Sequence, residues 1–321
     1  MFAVYAKEPN ADDPLASLVV GERPDPEVPD GWVRVSVRAA SLNMHDLWTL
    51  RGVGIKPDQF PMILGCDGAG VTDDGSEVVL HSVVNDPAWR GDDTLDPKRT
   101  LLTEKLQGTF ADSVVVPARN VLPKPPGLSF AEAATMGTAW LTAYRMLFVK
   151  SGLRPGQTML VQGASGGVST ALVQLGRAAG FRVWVTGRSE EKRALAERLG
   201  AHATFEPGTR LPERVDAVFE TVGKATWAHS LKSLKPGGIV VVSGSTSGPD
   251  PSADLQRVFF LQLRVAGSTM GTRDELADLL SYVDLKGLRP QVGTELPFSE
   301  AARGFTDMLD GRTAGKIVFT R

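Results

Sequence analysis

The chain has 321 residues, more than the ~100–200 of a typical single domain, so two domains are expected. Hydrophobic residues make up 42% and charged residues 22%, near globular averages, which excludes disordered, collagen-like and coiled-coil classes. With 35 Lys and Arg against 37 Asp and Glu, a net charge of −2 gives no footprint for nucleic acid or an anionic membrane. Cys66 is the single cysteine, which excludes an internal disulfide framework and a metal site built on several thiolates, and suits a reducing compartment. The opening MFAVYAKEP lacks the basic-then-apolar pattern of a leader, and no apolar run reaches about 18 residues. The expectation is a soluble cytoplasmic protein with neither nucleic-acid nor membrane partners.

Apolar and polar residues alternate at period two from Trp32 to Ala39, predicting a strand with one wet face. VVL at 78–80 and SVVVP at 113–117 read as further strands, with dense Gly and Pro punctuation and no long helix, so the first 123 residues predict an all-β lobe. The polar run 85–108 reads as an exposed excursion. After PKPPG at 123–127 the texture changes: a helix over 130–149, then strands 159–161, 181–186, 215–219 and 239–243 alternating with helices 168–180, 190–199 and 224–234. That alternation calls for a parallel sheet with helices on its faces. A last helix over 273–286 stops at Gly287, and KIVFT at 316–320 returns to strand character, able to rejoin the first lobe.

The join between the first parallel strand and its helix, MLVQGASGGVSTALVQL, carries the strongest chemical signal. A dinucleotide pyrophosphate needs backbone amides at close range and a helix N-terminus, so the turn must lack bulky side chains. Gly163, Ala164, Ser165, Gly166, Gly167 and Val168 meet that need, with Ser169 where the fingerprint has its third glycine. A tight strand-to-helix connection is the plainer alternative, against which the flanking strand and helix argue. About 20 residues on, where NAD-binding chains place an acid, stands Gly187; Arg188, Ser189 and Lys192 follow, a set suited to a 2′-phosphate and hence to NADPH. The alternative there is an ordinary charged first helical turn capped by Ser189. Thr221, Val222, Ser243, Gly244 and Ser245 lie at the ends of parallel strands, where open α/β sheets bind ligands.

These features resemble the medium-chain dehydrogenase/reductase superfamily, and within it the zinc-independent quinone oxidoreductase branch. The motifs are SLNMHDLWTLRG at 41–52, LGCDGAGV at 64–71, the glycine turn, FETVG at 219–223, LKPGGIVVVSG at 234–244, GSTMG at 267–271 and AGKIV at 314–318. The resemblance implies an α/β protein with a GroES-like β-rich lobe, 1–123 and 289–321, and a doubly wound parallel Rossmann domain, 124–288, with the active site in the cleft between them. It implies NADPH-dependent hydride transfer to a small apolar electrophile, a quinone or α,β-unsaturated carbonyl including enoyl thioesters, and a homodimer formed by edge strands near 243–270. Matching motifs put Asn43, Cys66 and Thr138 where zinc-dependent relatives hold their catalytic metal; only Cys66 is a competent soft ligand, and neighbouring His45 is a weak substitute, so no metal is expected.

By the same resemblance Asn43 donates to the acceptor carbonyl, with Asp46 and Arg51 organising its loop; for the last two, an ion pair or a helix cap is the competing explanation. Thr142 and Lys316 are expected on the cofactor side, with Tyr144 a neighbouring packer. Phe259, Phe260 and Met270 are candidates for an apolar acceptor pocket or for plain core. The stretch GVGIKPDQF just after Arg51 holds no tyrosine, so the proton donor is unassigned and solvent is the candidate. A dinucleotide-binding module or sensor with little turnover is the competing function, and a zinc alcohol dehydrogenase the less favoured one.

Overall fold

A computed structural model describes residues 1–321. The chain divides into two compact units, Met1–Leu141 with Met270–Arg321, and Thr142–Thr269. The sequence reading drew the borders at 123/124 and 288/289. Compactness moves 124–141 and 270–288 to the first unit because the helix Arg273–Lys286 packs on the wide turn Met136–Trp140, which itself meets the strand Glu77–Leu80.

In the first unit the alternating segment forms the strand Trp32–Ser41, the centre of a seven-stranded sheet. It pairs antiparallel with Gly68–Thr72, Ser113–Pro117 and Lys316–Thr320. The tail does rejoin the first lobe, and aromatic packing shows why. Phe110, Phe298, Phe305 and Phe319 bury together, Phe319 meeting Phe110 edge-on at 5.0 Å. Each buried ring contributes about 2 kcal/mol, so three rings from residues 298–319 fix the returning segment to the lobe. The run 85–108 departs from expectation. Asp93, Thr94, Asp96, Leu102 and Thr103 are buried, because Asp92 and Asp96 carboxylates satisfy the local backbone amides of Thr94, Asp86 and Lys98 and let the segment turn inward.

The second unit carries a six-stranded parallel sheet in the order Ala203–Phe205, Arg182–Thr186, Thr158–Gln162, Val215–Glu220, Leu234–Val242, Arg264–Gly267. Strand order reverses direction beside Thr158–Gln162, the crevice where such sheets bind ligands. The expected helices form as Gly167–Ala178, Glu190–Arg198 and Lys224–Ser233. Thr158–Gln162 is buried throughout, as a central parallel strand must be, which explains the apolar Met159–Val161 at its middle. No helix in the chain is long and apolar enough to cross a membrane.

Candidate active site

Within the second unit, the glycine turn leaves the strand Thr158–Gln162 with Gly163 at φ +91°, a conformation that L side chains rarely adopt. Gly166 then caps the helix Gly167–Ala178 in an extended conformation. A Cβ at Gly166 would meet nothing nearer than the Ser169 hydroxyl at 3.8 Å, so the protein's own packing does not require glycine there. What the missing side chain leaves is bare backbone at a helix N-terminus, the surface a pyrophosphate needs. Ser169 fits at 3% exposure without displacing the turn.

Gly187 has a different cause. A Cβ at that position would approach Ala164 Cβ and Arg193 Cγ to 2.9 Å, so the acid of NAD-binding chains has no room without rearrangement. Arg188 is exposed and makes no hydrogen bond or ion pair. Ser189 caps the helix Glu190–Arg198, its hydroxyl accepting from Lys192 N at 3.3 Å, so the capping explanation holds for this residue. Thr221, Val222, Ser243, Gly244 and Ser245 gather at the same edge of the sheet, half-buried. Ser243 Oγ is buried with no hydrogen-bond partner, an orphaned polar atom at that edge. The bare turn, the free guanidinium and the orphaned hydroxyl together fit a phosphorylated dinucleotide.

In the first unit, residues distant in sequence converge on a second centre. Asn43 precedes the helix Met44–Leu50 and is 7% exposed. Its backbone amide donates to Asp46 Oδ2 at 2.8 Å, while Gly65 N donates to Asp46 Oδ1 at 2.8 Å. Asp46 is thus a helix-start cap that also ties down the loop before Cys66, and it forms no ion pair with Arg51. The Asn43 side chain is held at both ends: Nδ2 donates to Ser41 O at 3.0 Å, and Oδ1 accepts from Lys316 Nζ at 2.6 Å. Lys316 also donates to Leu42 O at 2.6 Å. The buried ammonium is thus a member of the Asn43 centre. Cys66 Sγ lies 3.5 Å from Thr138 Oγ1, which in turn lies 3.4 Å from Ser82 Oγ. Asp67 Oδ1 accepts from Ser41 Oγ at 2.7 Å.

Burial sets the electrostatics. It pushes Asp46 up to about 7, against the amides of Asn43 and Gly65, with the Asp67 charge adding to the rise and Lys316 opposing it. Asp67 is raised by burial too, held back by Lys316, Ser41, Asn43 and Thr138. Burial lowers Lys316, and Asp67, Cys66 and Asp46 resist. The Cys66 thiol is pushed well up by burial, with Asp46 and Asp67 adding to the rise, so it stays protonated at neutral pH. His45 is lowered by burial and faces Glu104 at 3.9 Å. These groups do not suit a metal. Asn43 is an amide bound at both ends, Thr138 is a hydroxyl, Cys66 is the single thiol, and nowhere do three His, Cys, Asp or Glu side chains gather as ligands.

The remaining candidates fall elsewhere. Phe259 and Phe260 are 70% and 76% exposed on the helix Leu255–Phe260, so neither is core. Met270 is buried in the first unit with a left-handed backbone, φ +48°. Thr142 is 6% exposed, and Tyr144 is half-buried against Phe148. Sequence reasoning missed Asp67, Ser41 and Ser82 as members of the Asn43 centre; a carboxylate inside the otherwise apolar, glycine-rich LGCDGAGV was the available signal.

Comparison with known proteins agrees with this architecture. Residues 29–126 match the alcohol dehydrogenase GroES-like domain family, and residues 167–284 the zinc-binding dehydrogenase family. A quinone oxidoreductase of Pseudomonas aeruginosa is 29% identical over 306 residues, spanning 89% of this chain and 90% of that protein. An acryloyl-coenzyme A reductase of Metallosphaera sedula is 29% identical, spanning 94% and 96%. A solved NAD-dependent alcohol dehydrogenase superposes with a TM-score of 0.93 at 33% identity over the whole of both chains. A β-rich lobe completed by the returning tail, a 3-2-1-4-5-6 parallel sheet with a bare glycine turn, and these matches over both parts make the chain an oxidoreductase of the medium-chain dehydrogenase/reductase superfamily.

Proposed function

We propose that the protein is a zinc-independent, NADPH-dependent reductase of quinones or α,β-unsaturated carbonyl compounds, enoyl thioesters included. The observation that carries this reading is the donor set at positions 43, 66 and 138. With an amide, a buried protonated thiol and a hydroxyl there, an acceptor must already be electrophilic, since charge developing on its oxygen is met by hydrogen-bond donors alone. Bound NADPH supplies a hydride. Residues 163–168, 221–222 and 243–245 hold the dinucleotide, and Arg188 with Lys192 recognises the 2′-phosphate. One solved relative is described as NAD-dependent, so resemblance does not supply the choice of NADPH, which rests on residues 187–192 of this chain. Asn43, kept rigid by Lys316 and Ser41, orients the acceptor.

NADPH oxidation over a panel of quinones, enones and enoyl thioesters, with and without a chelator, is expected to show chelator-insensitive turnover on at least one class. Turnover only after loading with a divalent ion overturns the reading. Binding without oxidation favours a dinucleotide-binding module instead, an alternative supported by the deep burial of Asn43. Arg188→Ala is expected to weaken NADPH binding by about 10- to 100-fold and leave NADH binding unchanged, since a charged hydrogen bond contributes about 1.5–3 kcal/mol. Equal effects on both cofactors, read by fluorescence titration, would remove the NADPH assignment.

The edge strand Arg264–Gly267 pairs on one side only, Val265 is 52% exposed, and the neighbouring helix shows Leu255, Phe259 and Phe260 to solvent. A second copy of this chain satisfies that open edge by strand pairing across a two-fold axis, making a homodimer. Light scattering of a Val265→Lys, Phe260→Glu double variant is expected to give monomer where the unaltered chain gives dimer; an unaltered chain that is monomeric contradicts the assignment.

A further inference from the structure

The second unit contains a buried hydrogen-bond chain that the dinucleotide reading leaves unused. Glu220 ends the strand Val215–Glu220 with 0% exposure and no ion pair. Its Oε1 accepts from Val222 N at 2.8 Å and Gly223 N at 3.0 Å; Thr226 Oγ1 lies 2.9 Å from both carboxylate oxygens; Ser230 Oγ donates to Oε2 at 2.7 Å. Behind Ser230 the chain continues. Its Oγ accepts from Gln162 Nε2 at 3.0 Å, Gln162 Oε1 accepts from Thr186 Oγ1 at 2.6 Å, and Thr186 Oγ1 accepts from Gly163 N at 3.3 Å. On the other side of Glu220, Val222 O accepts from both Ser247 N and Ser247 Oγ at 2.7 Å.

Every link from Gly163 to Glu220 donates in one direction, toward the carboxylate. In a low-dielectric interior such a chain is mutually polarised, and each bond strengthens the next. It joins the ends of Arg182–Thr186, Thr158–Gln162 and Val215–Glu220, and through Val222 the loop that follows Leu234–Val242. A buried carboxylate without a cation is costly unless its lone pairs are filled. Packing alone would be served by an apolar residue at this strand end, so the arrangement calls for a task that needs an acceptor of several bonds.

We propose that Glu220 is a positioning residue for the dinucleotide site: through Ser230, Gln162 and Thr186 on one side and the amides of Val222 and Gly223 on the other, it fixes the glycine turn and the loop 221–223 relative to each other. This rests on the proposed dinucleotide site. The chain also occupies the Gly163 amide, so pyrophosphate recognition falls to the amides beyond it, over the bare backbone at Gly166. Glu220 holds the pyrophosphate and nicotinamide side, whereas the adenosine 2′-phosphate end depends on Arg188, which lies outside the chain.

The test measures affinity for two ligands, NADPH and adenosine 2′-monophosphate, which lacks the pyrophosphate, by fluorescence titration and calorimetry. Glu220→Ala is expected to weaken NADPH about tenfold, and Ser230→Ala about threefold, because each leaves buried donors without an acceptor. Both variants are expected to bind adenosine 2′-monophosphate as the unaltered chain does. Glu220→Gln still accepts from the two amides, but its NH2 faces Ser230 Oγ, which already accepts from Gln162 and is left without an acceptor for its own proton, so only part of the NADPH affinity is expected to return. Ser230→Ala removes only one hydroxyl and decides the matter should Glu220→Ala not fold. The positioning role is overturned by unchanged NADPH affinity in Ser230→Ala and Glu220→Ala, or by loss of both ligands in parallel. An unaltered chain that binds neither ligand removes instead the dinucleotide site on which the role rests.

Discussion

Replacing Lys316 with methionine is expected to cost about 3 kcal/mol of folding stability at pH 8 and less than half of that at pH 5, the size seen when one partner of a buried charge cluster is removed. Lys316 is 4% exposed and donates to Leu42 O and Asn43 Oδ1, both at 2.6 Å, the short distances of charge-assisted bonds. Methionine fills most of the volume, so the loss is electrostatic rather than steric. Two buried carboxylates, Asp46 and Asp67, are pulled down by this ammonium against the effect of burial. Without it both must be protonated in the folded state or remain as uncompensated charges. Protonating an aspartate whose free value is 3.8 costs about 1.6 kcal/mol at pH 5 and about 6 kcal/mol at pH 8, and the difference appears as lost stability. Urea unfolding at the two pH values measures it. A loss below about 1 kcal/mol at pH 8 would mean that the ammonium is not the counter-charge of this centre.

The fold was legible where one physical rule decided the outcome. Period-two alternation at Trp32–Ala39 and the apolar run at 159–161 were legible as strands because one strand has a wet face and the other none. The strand-to-helix join at the glycine turn was legible because a tight turn with bare backbone at a helix start leaves a composition signature. The polar run 85–108 misled because its aspartates bond local amides, so polarity there marks internal turns rather than solvent. The Asn43 centre was half legible. Asn43, Asp46 and Lys316 were singled out, yet 273 residues separate Asn43 from Lys316, and no local pattern announces that the last strand returns beside the first. Phe259 and Phe260 looked like pocket or core on hydrophobicity alone, whereas the short helix that carries them turns both outward. Glu220 was invisible for a related reason: a carboxylate closing an apolar strand looks like its wet end, and only the folded crossover brings Ser230 and Thr226 over it.

The pH dependence of stability should trace to Asp46. Its folded value of about 7 lies above the 3.8 of an exposed aspartate, so the native state keeps a proton that the unfolded chain releases. Stability from this group is therefore full below pH 4 and is lost as pH rises toward and through 7. The gap corresponds to about 4 kcal/mol when fully developed. Asparagine cannot titrate, and Asp46→Asn is expected to flatten that slope. The variant begins from a deficit, because its one carbonyl oxygen accepts from only one of the Asn43 and Gly65 amides while its NH2 group faces the other, at a cost of about 1–2 kcal/mol. At pH 5 the variant should thus be the less stable protein, and by pH 8 the gap should close or reverse. Urea unfolding at pH 5, 6.5 and 8 on both proteins reads this directly, with parallel pH curves as the contrary result. Crossing curves would establish that this carboxyl is protonated while the centre is intact. The helix that begins at Met44 would then be capped partly by a neutral acid, with Asn43 held in place through the same bonds that burial makes expensive to ionise.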